Sequence, residues 1–529
     1  MRTTLLFFIL LYSGHILGYS AEIRPAGQEQ VRVSGIVFHD KTNNGSYDQG
    51  EDIPLEGIAV SNGRDIAITG DDGTYSLMLK DNQSVFVIKP RNWMVPVDEN
   101  QLPQFYYVHS TQGAGGNDFE GLAAGGSLPE SVDFPLYPVE EPDSFEVLVF
   151  GDTQPRDITE VYYIAHDVLP ELTGADVAFG VTLGDIVFDD LDLFDPLKQS
   201  IATIGTPWRY VLGNHDIDFS AGNNTDARGA WYRTFGPSYY SFSNGPAHFI
   251  VLDNVRWIIE GDQRYYRTGL GEDQMEFFKN EVARLDDDQL LVILTHIPYT
   301  GSTAWQDEDE QKLFYEVLAG HSNSVSLVAH THRHYHHFIG KEEGFPGSEP
   351  HHMISVGTTC GAWWTGAPDE YGIPHAMMSD GTPNSYTFLH IDGNEWKMKL
   401  KAAGRPSDYQ MHIFASDSIQ SNSTQPFTVL ANIYNALPSA DVKMRIGKDG
   451  EWISMERTPR HDPYRLAAAA REKQLGDEIP WRNLGGAQVS EHIWVAEPES
   501  NLSPGVYVIE IKAVDDWWEY EGRRLLHVK

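Results

Sequence analysis

This chain is poor in cysteine, in positive charge and in long apolar runs, and each shortage removes a class of protein. Cys360 is the only cysteine in 529 residues, so no internal disulfide forms and a disulfide-stapled scaffold is excluded. Its place deep in the chain also excludes a lipid-anchored cysteine start. Lysine and arginine number 38 against 76 aspartates and glutamates, a formal net charge of -38. Such a field repels phosphate backbones and anionic membrane surfaces, so no nucleic-acid binding is expected. It also slows anionic substrates unless metal ions reverse the potential at the site. Beyond the N-terminal segment no stretch reaches about 18 uninterrupted apolar residues, so the mature chain is expected to lack a transmembrane segment and to be soluble. The sequence has no Gly-x-x-x-x-Gly-Lys and no Gly-x-Ser-x-Gly, which leaves kinase-type and serine-hydrolase chemistry without their parts.

What is present is a globular composition, 41% hydrophobic and 12% aromatic, in a chain long enough for several domains. Residues 1–20 combine Arg2, the run LLFFILLY and a Gly18-Tyr19-Ser20 tail before Ala21. This reads as a cleaved export signal and predicts a periplasmic or extracellular protein. Residues 28–138 alternate apolar and polar residues in runs such as VRVSGIVF and TYSLML, with turn chemistry at Asn62-Gly63 and Asp71-Asp72-Gly73. That pattern predicts an all-β sandwich module. An acidic, proline-containing joint, Val139 to Asp143, closes it. From 144 to 395, strand-like runs alternate with helical patterns at Thr159–Leu172, Leu191–Ile204, Glu272–Leu285 and Glu308–Leu318, an α/β core of two β-sheets flanked by helices. Residues 396–529 return to β patterning, with a short helix expected at Arg465–Leu475, and predict a C-terminal β-sandwich.

One turn in the first module carries a metal-like spacing. Counting from Asp40, oxygen side chains fall at Asp40, Thr42, Asn44, Ser46, Asp48 and Glu51, with Gly45 between them, as in a twelve-residue calcium loop. The same residues also make an ordinary Asn/Gly/Asp turn that binds nothing, and both readings stand.

The chemistry gathers in the middle of the chain. Five apolar runs each end in a short polar cluster: FEVLVF in Gly151-Asp152-Thr153-Gln154, VAFGVTL in Gly184-Asp185, WRYVL in Gly213-Asn214-His215-Asp216, LLVIL in Thr295-His296, and VSLVA in His330-Thr331-His332. Buried strands of a parallel sheet deliver the residues at their C-terminal ends to one crevice. These clusters, in this order, resemble the calcineurin-like metallophosphoesterase superfamily, whose pattern is D-x-H, G-D, G-N-H-[DE], a lone His and G-H-x-H. Two positions depart from it: Gln154 stands in place of a histidine and Ala329 in place of a glycine.

The resemblance implies a dinuclear metal centre, with Asp152, Gln154, Asp185 and His332 holding one ion and Asp185, Asn214, His296 and His330 the other. It makes Asp185 the bridge and His215 the catalytic residue that contacts phosphate and protonates the leaving oxygen. The reaction implied is hydrolysis of a small-molecule phosphoester, a monoester or a diester, by a metal-bound hydroxide. Gln154 replaces an imidazole nitrogen with a neutral oxygen, which favours Mn2+ at the first site while leaving Mg2+, Fe or Zn2+ open. Some branches of the superfamily, including manganese-dependent pyrophosphatases of the nucleoside-diphosphate type, carry D-x-Q as well. Nucleotide-type pyrophosphatase activity is therefore an alternative, and a surface binding protein with a degenerate hydrolase core is another.

Other features bear on partners. The β-modules resemble carboxypeptidase-regulatory or adhesin B-type repeats at the front, and at the back the domain fused to bacterial calcineurin-like phosphoesterases; both imply spacing or cell-surface docking. Trp363 and Trp364, in a long Gly/Pro/aromatic loop with Tyr371 and His375, are candidates to stack on substrate. Arg228, with Asn223, is a candidate second phosphate contact. His334, His336, His337, His351, His352 and His375 lie outside the motifs and are expected not to be ligands.

Overall fold

The computed structural model describes residues 30–116, 118–301, 305–421, 425–476, 478–499 and 501–529. The export signal expected over residues 1–20 lies outside them. No helix among the described residues is long and apolar enough to cross a membrane.

The centre of the molecule is two mixed β-sheets. In the first, Trp208–Val211, Phe179–Leu183 and Ser144–Phe150 run parallel, and the hairpin Ser385–Asp392 with Glu395–Ala402 closes the edge. In the second, Ala247–Val251, Leu290–Leu294, Ser324–Val328 and His351–Ser355 run parallel between the antiparallel edges Tyr240–Asn244 and Tyr335–Ile339. Side chains alternate across each strand. Val147, Val149, Val181 and Leu183 therefore join Phe249, Val251, Leu291 and Ile293 in one core between the sheets. Their neighbours Leu148 and Phe150 face outward onto Val161, Ile164, Leu197 and Ile201 of the covering helices. Both faces of these strands are buried, which is why they read as continuous apolar runs.

The helices form where the sequence places them, with local adjustments. Ile158–Asp167 starts at Asp157, whose carboxylate accepts from the Thr159 and Glu160 amides, and Pro170 turns the expected remainder into a separate 3-10 turn, Leu169–Glu171. Glu272–Val282, Glu308–Ala319 and Pro463–Leu475 fall on the expected patterns. One boundary moves. The strand Glu395–Ala402 pairs along its length with Ser385–Asp392, so the break expected at 396 falls inside a central hairpin. Met398 and Leu400 are fully buried in that sheet, and the apolar pattern read as the start of the next domain belongs to this core.

Among the described residues, those before Ser144 contribute strands and no helix, in a five-stranded sheet around Val31–His39 and a four-stranded sheet around Ala59–Ser61. This module packs on the centre through Phe86 against Phe277 and Phe105 against Tyr240, with ring centroids 5.7 and 4.9 Å apart. At the other end, a four-stranded sheet containing Val429–Ile433 faces a five-stranded sheet containing Gly505–Val514 and Glu519–Val528, around Trp494, Met444, Ile511 and Leu526.

Candidate metal centre

All five polar clusters emerge at the C-terminal ends of the parallel strands, and the structure brings their side chains together. Asp152 is fully buried after Ser144–Phe150, and its Oδ1 accepts from the His330 amide at 3.2 Å. Asp185 Oδ1 accepts from the His215 amide at 2.9 Å and lies 3.2 Å from His296 Nε2. Asn214 Oδ1 is also 3.2 Å from that nitrogen. His332 Nε2 lies 3.2 Å from Asp152 Oδ2. Two glycines make this closeness possible. A Cβ on Gly184, at φ +88°, would sit 2.5 Å from His296 Nδ1, and one on Gly213 would meet the Asp185 amide nitrogen at 2.0 Å.

The backbone here is strained at the chemical residues themselves. Gln154, Asp185, His330 and His332 have φ of 40°, 46°, 70° and 49°, and Asp189, Trp363 and Trp364 beside them are also left-handed. Each such non-glycine residue costs on the order of 1–3 kcal/mol, and clusters of them mark sites where the surrounding structure imposes an orientation. The turns are locked to one another: the Gln154 amide donates to Asp185 O, Phe188 N to Pro155 O, and Cys360 N to Asp152 O. Buried Asp216 completes the frame by accepting from the Gly213 and Val187 amides. Burial and the Asp185 charge raise its pKa to about 7.

Two of the three candidate histidine ligands are oriented through Nδ1. His296 donates Nδ1–H to Leu183 O at 2.8 Å and His332 to Gly361 O at 2.7 Å, which turns both Nε2 atoms toward the carboxylates. Imidazoles that hold metal are fixed in this way by a backbone carbonyl on the other nitrogen. His330 stands edge-on to His296, its Nε2 3.2 Å from the Tyr266 hydroxyl. Burial, then the neighbouring His296, presses the His330 pKa down to about 3, keeping its ring neutral. Burial opposes ionisation of Asp185 as well, but His296 and His215 outweigh it and hold the carboxyl below the usual carboxylate range.

The donors suit divalent cations in one further respect. Asp152 Oδ2 is buried and has no hydrogen-bond partner, a costly position unless a cation balances it. His, Cys, Asp and Glu alone do not make a finished cage: no group of three or more of them arranged to hold a metal occurs among the described residues. The amides of Gln154 and Asn214 lie among these carboxylates and imidazoles, against Asp185 and His296 respectively. Gln154 is turned with its nitrogen, not its oxygen, toward Asp185 Oδ2 at 2.8 Å, while Oε1 faces Cys360 Sγ at 3.9 Å. As placed, it orients the carboxylate.

His215 sits at the edge of the cluster. Its Nδ1 is 2.6 Å from Asp189 Oδ1, and its ring stacks on Phe188 with centroids 4.4 Å apart. Burial lowers its pKa, but Asp185 and Asp189 more than reverse this and raise it. Asp189, Phe188, Tyr266, Arg156 and Asp216 are absent from the sequence-based site. Asp189 had a signal, a carboxylate four residues after Asp185 and outside any apolar run. Tyr266 had none, since it arrives on a hairpin, Val255–Glu260 with Gln263–Thr268, that carries no motif.

The proposed substrate contacts separate. Trp363 is 36% exposed and tilts over His332 at 4.1 Å, with its carbonyl accepting from Arg156. Trp364 is buried and donates Nε1–H to Thr153 O, so it supports the Asp152 turn from behind. Arg228 is buried too, with its guanidinium held by both oxygens of Asp253 and by Asn224. Asn223 bonds to Asp226. The histidines outside the motifs engage elsewhere: His334 with Asn435, His336 with His352, His337 with Glu343 and His351 with Ser326.

Family models match three consecutive stretches of the sequence: the N terminal of calcineurin-like phosphoesterase at residues 41–123, calcineurin-like phosphoesterase itself at 145–335, and the C terminal of calcineurin-like phosphoesterase at 354–520. The chain belongs to the calcineurin-like phosphoesterases. This calcineurin-like phosphoesterase is therefore a phosphoric ester hydrolase, and its family implies divalent metal cofactors and a small-molecule substrate. No curated protein matches it. Solved structures overlap it loosely. A purple acid phosphatase, PPD1, from yellow lupin (Lupinus luteus) seeds shares 11% identity over 80% of this chain and 68% of its own, with a TM-score of 0.36. The endo-beta-1,4-mannanase of Thermotoga petrophila shares 10% over 84% of this chain and 92% of its own at 0.19. The Bacteroides uniformis beta-glucuronidase shares 11% over 95% and 58% at 0.21. Overlaps this loose decide nothing about the site.

Proposed function

We propose that this phosphoesterase hydrolyses a phosphomonoester or phosphodiester at a dinuclear centre, with Asp152, Gln154, Asp185 and His332 on one side and Asp185, Asn214, His296 and His330 on the other. The observation that carries this reading is the convergence of strained strand-end residues around Asp152 Oδ2, which is buried without a hydrogen bond and faces His332 Nε2. Divalent cations held by these residues would supply Lewis acidity toward the phosphoryl oxygens and acidify water toward a pKa near 7. The protein's share is placement. Asp185 lies between the two donor sets and is held by the His215 amide and the Gln154 side chain. To join the first set Gln154 exchanges this contact for another, its amide rotating to release Asp185 Oδ2 and present Oε1. His215, anchored through Nδ1 to Asp189, is left with Nε2 to protonate the departing oxygen. Trp363, Phe188 and Tyr266 frame the cleft and restrict water around the substrate.

The leader-like composition of residues 1–20 supports export, and the two β-modules support a docking or spacing role outside the cell. The test is Asp185→Asn with two readouts. Metal content per chain is expected to fall from about two ions, and turnover of p-nitrophenyl phosphate and its bis-ester is expected to vanish. A variant retaining both metals and activity overturns the assignment.

A further inference from the structure

Away from the metal centre, the seam between the N-terminal module and the catalytic domain encloses a cavity of about 230 Å3. Met94, Val95, Val97 and Pro103 line it from the module, and Phe179 and Pro207 from the domain. Met94 and Val97 are more than one-third exposed, which gives the opening an apolar lip. Two cations also face this cavity. Lys89 is compensated, 2.5 Å from Glu141 Oε1 and 2.7 Å from Ser243 O. Arg209 is not. It is 6% exposed, pairs with no carboxylate among the described residues, and its Nη1 has no hydrogen-bond partner. Its guanidinium lies over the Phe242 ring at 3.7 Å, near Phe105 and Tyr240.

Aromatic faces offset part of the cost of burying this charge, on the order of 2 kcal/mol. The Tyr240 hydroxyl accepts from the guanidinium, but the ring faces supply no lone pair for the unpartnered Nη1–H, and a buried cation without a counter-charge is disfavoured. Burial lowers the Arg209 pKa only to about 10, so the group stays charged. The other titratable groups at the cavity are Glu141, which is held by Lys89, and Glu140, which is exposed at its rim. One uncompensated cation facing apolar walls is the complement of one kind of ligand. We propose that this seam cavity binds a small amphipathic anion, an oxyanion head directed at Arg209 on a short hydrocarbon tail that lies against Met94, Val95 and Val97. The guanidinium fork matches a planar carboxylate through paired N–H donors. The chain's charge of -38 repels anions in general, so retention at this one place requires the local cation.

Isothermal titration of the full-length, metal-loaded protein with octanoate, octyl sulfate and octanol tests the proposal. Octanoate is expected to bind saturably at one site per chain, with octanol at least about tenfold weaker because it lacks the charge. Tighter binding of octyl sulfate than of octanoate supports the same site with a tetrahedral head. Arg209→Met is expected to abolish the preference for octanoate over octanol. Val97→Glu, at an exposed position where folding is not in question, is expected to weaken octanoate at least about tenfold by placing a like charge at the lip. Absence of saturable octanoate binding to the wild type overturns the proposal, and so does unchanged octanoate affinity in Val97→Glu.

Discussion

Two places in this molecule gather oxygen and nitrogen donors around an aspartate, and they differ in what those donors are already doing. At the strand-end cleft, Asp152 Oδ2 accepts no hydrogen bond, and His296 and His332 are turned by backbone carbonyls to face the carboxylates. In the Asp40 loop the donors answer one another. Asp40 accepts from Thr42 Oγ1, the Asn44 and Gly45 amides and the Tyr137 hydroxyl. Asp48 accepts from Asn44 Nδ2, and Ser46 N donates to Asn44 Oδ1. Glu51, expected to close the calcium set, is exposed, while Asp52 turns inward to take the Lys41 and Asp48 amides. Spacing in a sequence identifies which side chains can converge. Whether they bind a cation depends on the lone pairs left over, and that is set by elements far away in the chain.

The widest gap between the two regions is expected on removal of one carboxylate from each. Asp185→Asn removes the carboxylate proposed to be shared by both metal ions and is expected to lower kcat by at least about a thousandfold, with metal loss seen by elemental analysis. Near-normal turnover in that variant would erase the contrast.

A smaller effect is expected at Asp189, which acts through His215. Asp189→Asn weakens the anchor on Nδ1, and general acid catalysis contributes about 10²–10⁴ in rate. Its effect on kcat is expected to depend on the leaving group: slight for p-nitrophenyl phosphate, whose phenolate departs unaided, and about 10²-fold for an alkyl phosphate. Equal losses on both substrates would show that Asp189 only supports the fold.

The convergence of these side chains was legible in the sequence because each polar cluster follows on a buried parallel strand, where an apolar run and a turn adjoin. The central sheets were legible for the same reason. Tyr266 and Phe188 were not, since the first reaches the cleft through a hairpin and the second through stacking on His215. Arg228 and Trp364 illustrate the opposite failure. Both are residue types that bind ligands, but pairing with Asp253 and packing behind Thr153 occupy them, and neither partner is close in sequence. The hairpin of Glu395–Ala402 was misplaced because an edge strand of one domain and the first strand of the next have the same alternation.

Gln154 tests whether the cleft's first donor set is harder than its second. An imidazole at this position restores a borderline-soft ligand. Gln154→His is expected to raise the activity with Zn2+ relative to Mn2+ by about tenfold in metal-stripped, reconstituted protein. If wild-type protein already prefers Zn2+, the amide does not govern metal choice.

The smallest effect is expected at the Asp40 loop. Burial raises the Asp40 pKa, but the bonds from Tyr137, Gly45, Asn44 and Thr42 outweigh it and leave the carboxyl below its usual range. A carboxylate depressed on folding contributes stability that is present above the unfolded value, about 3.9, and is lost as pH falls through the folded value. Asp40→Asn is therefore expected to destabilise the N-terminal module by about 1–3 kcal/mol at neutral pH, and the penalty is expected to shrink as the solution is acidified. Calcium is expected to change little, because the loop's amides and hydroxyls already occupy these oxygens. Thermal denaturation with calcium or a chelator at two pH values checks both statements. A calcium-dependent rise in wild-type Tm that Asp40→Asn removes would place this loop beside the cleft as a second cation site.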